Sequence, residues 1–162
     1  MRDPVENFVE RMGLMLEADG LPRIAGRLIG FLLIHEEAHS LDDLAERLQV
    51  SKASVSTNAR LLEQSGVLER ISVPGDRRDY YRMGPGAWET TLRAAQRRWR
   101  TMNETFAETI ASLPPEMEAG KRRLAEATRF HELMIDGIDR LLERWREAGT
   151  TVNDGPRGLE DR

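Results

Sequence analysis

A mainly α-helical fold with a single small β-hairpin is predicted by three observations. Apolar residues recur at helical spacing over most of the chain. Alternation rich in β-branched and aromatic residues is confined to the two sides of a Pro74-Gly75-Asp76 turn. After Gly86 the apolar residues step by three and four along two long stretches.

In chain order, Val5, Phe8, Val9, Met12, Met15 and Leu16 form one apolar stripe on an otherwise acidic first helix, which Gly20 can end. Pro22 suits the first turn of a second helix over residues 22–36, whose nearly all-round apolarity (Ile24, Leu28, Ile29, Phe31, Leu32, Leu33, Ile34) predicts burial. Ser40 with Asp43 three residues on is an N-cap signature, and Leu41, Leu44, Ala45 and Leu48 share one face of the short helix that follows. Gln49 and Val50 separate it from Ser51, the cap of a fourth helix that Gly66 stops. Val55, Ala59 and Leu62 are its inward face; Lys52, Ser54, Ser56, Thr57, Asn58 and Arg60 are expected outward. Residues 67–73 and 77–83 then read as two strands around the Pro-Gly-Asp turn.

Beyond Gly84-Pro85-Gly86, the series Trp88, Leu92, Ala95, Trp99, Met102, Phe106, Ile110, Leu113 fills a long helix that Pro114-Pro115 ends. A second series, Leu124, Ala127, His131, Met134, Ile138, Leu141, Trp145, fills another up to Gly149. Such seams exceed what a small domain needs internally, and they predict a dimer interface. The expected organisation is an N-terminal dimerisation helix (1–20), a winged helix-turn-helix unit (21–84), a C-terminal helical dimerisation region (85–149) and a disordered tail (150–162).

Composition bounds the function. The 162 residues include no cysteine, which excludes a disulfide framework, a Cys-ligated zinc finger, an iron–sulfur site and a thiol nucleophile. The start has no apolar stretch behind a basic segment, and the longest apolar run, Leu28 to Ile34, falls far short of the roughly 20 residues a membrane span needs. A soluble, cytoplasmic protein is expected, with no membrane partner. Net charge is −4, yet its distribution is uneven: Lys52 to Arg82 holds six basic residues against four acidic, whereas residues 1–20 hold two against five.

Short helix, tight turn, Ser-capped helix and hairpin in this order are what reading of duplex DNA requires. A helix held by its apolar back can present Lys52, Ser54, Ser56, Thr57, Asn58 and Arg60 to the major groove. Arg77 and Arg78 at the hairpin tip can reach a phosphate or the minor groove. No P-loop, dinucleotide fingerprint or supported catalytic nucleophile occurs, so the chain is not expected to be an enzyme and no cofactor is implied.

These residues also resemble a known family. Leu41-Asp42-Asp43-Leu44-Ala45-Glu46-Arg47-Leu48, Ser51-Lys52-Ala53-Ser54-Val55-Ser56, Arg60-Leu61-Leu62-Glu63 and the wing Gly75-Asp76-Arg77-Arg78-Asp79-Tyr80-Tyr81 look like the MarR-type winged helix regulators. Residues 20–30 are similar to the GbsR-like branch of that family. The resemblance implies a homodimeric transcriptional regulator, usually a repressor, whose flanking helices make the dimer and which a small molecule releases from its operator. It places Arg77 and Arg78 at the wing positions that meet phosphates or the minor groove. Two-fold symmetry then predicts an imperfect palindrome as operator.

Other readings stay open at this level. One is a winged helix dimer that binds protein and not DNA. Another is a metal-dependent hydrolase or sensor, because His35-Glu36-Glu37-Ala38-His39 spells H-E-x-x-H, although Ser40 caps a new helix one residue later and no third ligand is evident. Trp88, Trp99, Phe106, Phe130 and Trp145 are candidates for an aromatic ligand cage, with core packing the competing role.

Overall fold

The computed structural model describes residues 3–152, with side chains placed through residue 148. The chain divides into two compact units, the first ending at Thr91 and the second beginning at Leu92.

In the first unit, helix α1 (Pro4–Ala18) starts with proline at its first position, where the missing N–H costs nothing, and Gly20 ends the segment at φ +91°. It lies on α2 (Arg23–Ile34) at a separation only glycine allows. A Cβ on Gly26 would stand 2.8 Å from the Met12 carbonyl, and one on Gly30 would stand 2.9 Å from the Met12 Cβ. Glu10 fixes the register by reaching Arg23 at 3.0 Å and Arg27 at 2.6 Å. Pro22 caps α2 and is not its first residue, and the helix stops at Ile34, two residues before the expected end. At that last turn Leu33 and Ile34, 39% and 44% exposed, do not meet the expected burial. His35 turns into extended backbone at φ −106°, ψ 116°.

Strand β1 (His39–Ser40) leads directly into α3 (Leu41–Leu48), whose N-cap Ser40 accepts from the Asp43 N–H at 3.2 Å. Gln49 closes α3 in the left-handed region at φ +52°, leaving only a tight turn before α4 (Lys52–Gln64). Gly66 then turns the chain at φ +75°, a position that also excludes a side chain because its Cβ would strike the Thr90 methyl at 2.1 Å. Strands β2 (Leu68–Ser72) and β3 (Asp79–Met83) pair antiparallel from Leu68↔Met83 to Ser72↔Asp79.

The wing is broader than its sequence announces. Residues His39 and Ser40 pair with Tyr81 and Tyr80, giving a three-stranded sheet in the order β1-β3-β2. A two-residue strand is too short to show alternation, and the capping role of Ser40 masks it. Leu28, Leu32, Leu44, Val55, Leu62 and Tyr81 form the centre of the core, all essentially buried. This is a mainly helical winged helix-turn-helix fold.

The second unit is built on α5 (Ala87–Ser112) from Leu92 onward, a short 3₁₀ turn (Pro115–Met117) and α6 (Glu118–Val152). Ile135, Ile138 and Leu142 are its buried apolar residues. Gln96, completely buried, donates to the Ile135 carbonyl at 2.9 Å and accepts from Arg93 at 2.9 Å, while Arg93 also pairs with Asp139 at 2.5 Å. His131 is sandwiched between Trp99 and Phe106, centroids 5.9 and 5.8 Å away, with Nδ1 2.8 Å from Asn103 Oδ1. Trp99 and Phe106 thus pack on the His131 ring. Met134, Leu141 and Trp145 do not join this seam: with Phe130 and Leu133 they remain exposed on α6. Residues 153–162, most of the expected tail, lie outside the described residues.

Candidate nucleic-acid interface

Helix α4 is held by its back. Val55, Ala59 and Leu62 are buried to 1% or less, and Ser51 caps the helix by accepting from the Ser54 N–H at 3.2 Å. Arg60 and Thr57 stand exposed on the free face, although the Thr57 hydroxyl donates to the Ala53 carbonyl at 3.0 Å. Lys52 is exposed and held 2.9 Å from Asp42 of α3. Ser54 and Ser56 are half-buried, and Ser54 shares a 2.8 Å hydrogen bond with Ser51.

Asn58 departs from expectation. It is buried (8% exposed), and its amide donates back to the Ser54 carbonyl at 2.8 Å, so it belongs to the packed back of the helix. The spacing Val55, Asn58, Ala59, Leu62 is itself i, i+3, i+4, i+7, the pattern of one helical face. That periodicity, rather than the polarity of the side chain, is the signal that identifies its side of the helix.

The wing tip is braced around Asp76, which the sequence marks only as a turn residue. Asp76 accepts from Arg78 through Nε at 2.9 Å and Nη2 at 2.5 Å, and from the Arg78 backbone N–H at 2.9 Å. The Tyr80 hydroxyl donates to the same carboxylate at 2.7 Å and accepts from Arg78 Nη2 at 2.7 Å. The guanidinium also lies 5.4 Å from the Tyr80 ring centre. These bonds from Arg78, with Tyr80 adding another, hold the Asp76 carboxyl far below the usual carboxylate range; the bond to Asp76 likewise pushes the Tyr80 phenol up. Tyr80 and Tyr81 point to opposite faces as a strand demands, Tyr81 into the core at 1% exposure.

Arg77 is exposed at the tip and has no ion-pair partner among the described residues. Arg70 bridges Glu63 at 3.2 Å and Asp79 at 3.5 Å, tying α4 to the hairpin, and Arg82 is neutralised by Glu69 at 3.0 Å. The cations left toward solvent are therefore Arg60 and Arg77, with Lys52 and Arg78 each shared with a carboxylate.

The H-E-x-x-H residues do not make a protease helix. His35 has left the helix and His39 sits in β1, so the helical i, i+4 face is absent. Among the described residues no three His, Asp or Glu side chains stand together as a ready metal cage. No helix among them is long and apolar enough to cross a membrane.

Helix-turn-helix and wing, with Arg60 exposed on α4 and Arg77 exposed at the wing tip, define a DNA-binding regulator of the winged helix class. The chain belongs to the MarR family of transcriptional regulators, which are not enzymes. The MarR family model matches residues 19–79, and a model described as MmpR5-like MarR family transcriptional regulator matches residues 86–148; neither description names the GbsR-like branch. The chain is 34% identical over 148 residues to the HTH-type transcriptional regulator MmpR5 of Mycobacterium tuberculosis, covering 88% of this chain and 90% of that protein. It is 20% identical to the HTH-type transcriptional repressor OpcR of Bacillus subtilis, over 85% of this chain and 82% of that one. A crystal structure described only as that of a transcriptional regulator superposes with a TM-score of 0.79 at 34% identity, covering 90% of this chain and 99% of the other.

Proposed function

We propose that the protein works in the cytoplasm as a homodimeric, ligand-responsive repressor that reads an imperfect palindromic operator. The observation that carries this reading is the pairing of a rigidly backed α4, exposing Arg60, with a wing tip whose Arg78 is oriented before any DNA arrives. Lys52, Ser54, Ser56 and Thr57 line the approach of α4 to the groove, Arg60 reads a base edge, and Arg77 and Arg78 engage phosphate or minor groove. Asn58 supports the helix from behind and contacts no base.

Repression is supported by OpcR being named a repressor. A dimer is supported by the exposed Phe130, Leu133, Leu141 and Trp145 on α6, an apolar row that one chain leaves uncovered; residues 1–20 and 85–149 would supply the interface. An effector site is supported by a cavity of about 590 Å³ bounded by α1, α2 and α3, where Arg23, Arg27 and Arg47 accompany Phe31 and Val9.

Selection of bound fragments from sheared genomic DNA, with Arg60→Ala alongside, tests the reading. One enriched palindromic site is expected, and the variant should lose about 1–3 kcal/mol on it and less on random DNA. Equal losses on both would make Arg60 a phosphate contact. No enrichment from a folded dimer would favour a protein-binding dimer.

A further inference from the structure

The proposed function sets the outer face of α4 against base edges, and the hydrogen bonds of that helix decide what the face can offer. Most of its polar groups are engaged locally. The Lys52 ammonium is held by Asp42 at 2.9 Å, and the Ser54 hydroxyl is paired with that of Ser51 at 2.8 Å. The Asn58 amide donates to the Ser54 carbonyl at 2.8 Å from the buried side of the helix. The Thr57 hydroxyl donates to the Ala53 carbonyl at 3.0 Å, the back-bond by which a helical threonine satisfies its proton one turn behind. With Oγ1 turned onto the backbone, the group that exposed Thr57 has left for a partner is its Cγ2 methyl.

What lies opposite the packed side follows from spacing. Val55, Asn58, Ala59 and Leu62 are buried. At about 100° per residue the opposite line runs through Ala53, Thr57, Arg60 and Gln64, all of them exposed. Ala53 and Thr57 are one turn apart, their Cβ atoms separated by about 5–6 Å. Leu61, 42% exposed, continues the same i, i+4, i+8 row. The free face of α4 therefore carries a row of methyl groups with the Arg60 guanidinium beside it. In the major groove one base offers a matching group: thymine, whose C5-methyl stands next to its O4. Adenine, guanine and cytosine present only polar atoms there, and methyl groups packed on those atoms would leave them desolvated and unpaired.

We propose that Ala53 and Thr57 together recognise the C5-methyl of a thymine in each half-site, Thr57 acting through its methyl and not its hydroxyl, with Leu61 extending the apolar contact. Arg60 follows Thr57 by about 4.5 Å along the helix axis, so the thymine lies within about one or two base pairs of the edge that Arg60 reads. The inference rests on the DNA-binding reading and adds to it the base that the helix selects.

A uracil scan tests it. Each thymine of the operator selected from genomic fragments is replaced by uracil in both half-sites, which removes the methyl and leaves every hydrogen-bonding atom in place. Fluorescence anisotropy with the full-length protein should find one symmetric position at which uracil weakens binding about fourfold per half-site, the worth of one buried methyl. Thr57→Val keeps the methyl and should bind thymine and uracil duplexes as the parent does. Thr57→Ser keeps the hydroxyl and should bind the thymine duplex about fourfold more weakly per half-site, with no further loss on uracil. Both substitutions lie on the exposed face, and circular dichroism checks that each variant folds as the parent does. A scan in which no thymine matters would overturn the proposal while leaving an operator-binding protein. So would a Thr57→Ser variant that still discriminates thymine from uracil. Loss in Thr57→Val with none in Thr57→Ser would show that the hydroxyl reads the base. Failure to select any operator would instead remove the DNA-binding reading, and this assignment with it.

Discussion

The wing tip turns on one carboxylate. Asp76 sits at the wing tip that the proposed function brings to DNA, and charge alone says that removing it should strengthen binding to a polyanion. The geometry predicts the reverse. Asp76 fixes a long, rotamer-rich Arg78 side chain in advance, sparing the ordering cost that an unbraced arginine incurs on binding. Asp76→Asn is therefore expected to weaken DNA binding a few-fold, and fluorescence anisotropy on operator and random duplexes measures it; tighter binding would show that only charge matters. The pH dependence follows from the same bonds. A carboxyl whose folded value is depressed contributes above its unfolded value of about 3.9 and loses that contribution only as pH falls through the folded value. Tyr80 ring signals should thus stay unchanged from neutrality down to about pH 4. The role of Asp76 was not legible as chemistry in the sequence, because Pro-Gly-Asp already explains an aspartate as a turn residue. Asn58, conversely, was legible from periodicity, and its polarity misled.

At the scale of elements, long periodic helices, caps and the Pro-Gly turn were readable because each has a local cause. Ser40 and Ser51 both cap as their spacing predicts. The short β1 was not readable, since its two residues are strand only through pairing with β3. Tertiary packing likewise decides what a glycine does. Gly26 and Gly120 look equivalent in sequence, each inside a helix, but their surroundings differ. An alanine methyl at 26 would press on the backbone of α1, with the Met12 oxygen at 2.8 Å and the Gly13 Cα at 2.9 Å. Gly26→Ala should destabilise by about 1–3 kcal/mol through forced separation of the two helices. At 120 the nearest atom would be 3.8 Å away, an ordinary contact, so Gly120→Ala should stabilise by about 0.5–1 kcal/mol through reduced backbone freedom. Opposite shifts in thermal melts are the expected outcome, and equal shifts would contradict the close α1–α2 approach.

For the whole molecule, a net charge of −4 has to be reconciled with a polyanionic partner. The fold does this by pairing most wing and helix cations internally while leaving a few aimed outward, so a single copy offers few contacts to phosphate. Two copies on one duplex double that number, and counterion release makes affinity fall with salt in proportion to it. In the proposed dimer, pairing is thus part of recognition, and the exposed apolar row of α6 is the surface offered for it. Leu133 and Leu141, 62% and 51% exposed, lie along one row with Gly137, where nothing stands within 4 Å of an added Cβ and another helix can come close. Neither leucine supports the core of its own chain, so Leu133→Lys with Leu141→Lys should leave helicity by circular dichroism intact while sedimentation shows a monomer. That monomer should bind a palindromic operator no better than a single half-site, with a salt slope about half that of the parent. Added lysines would by themselves favour DNA, so a loss of affinity in this variant isolates the contribution of pairing. A double variant that still sediments as a dimer would move the interface off this row of α6, and the two-copy reading of the operator would then need another surface to carry it.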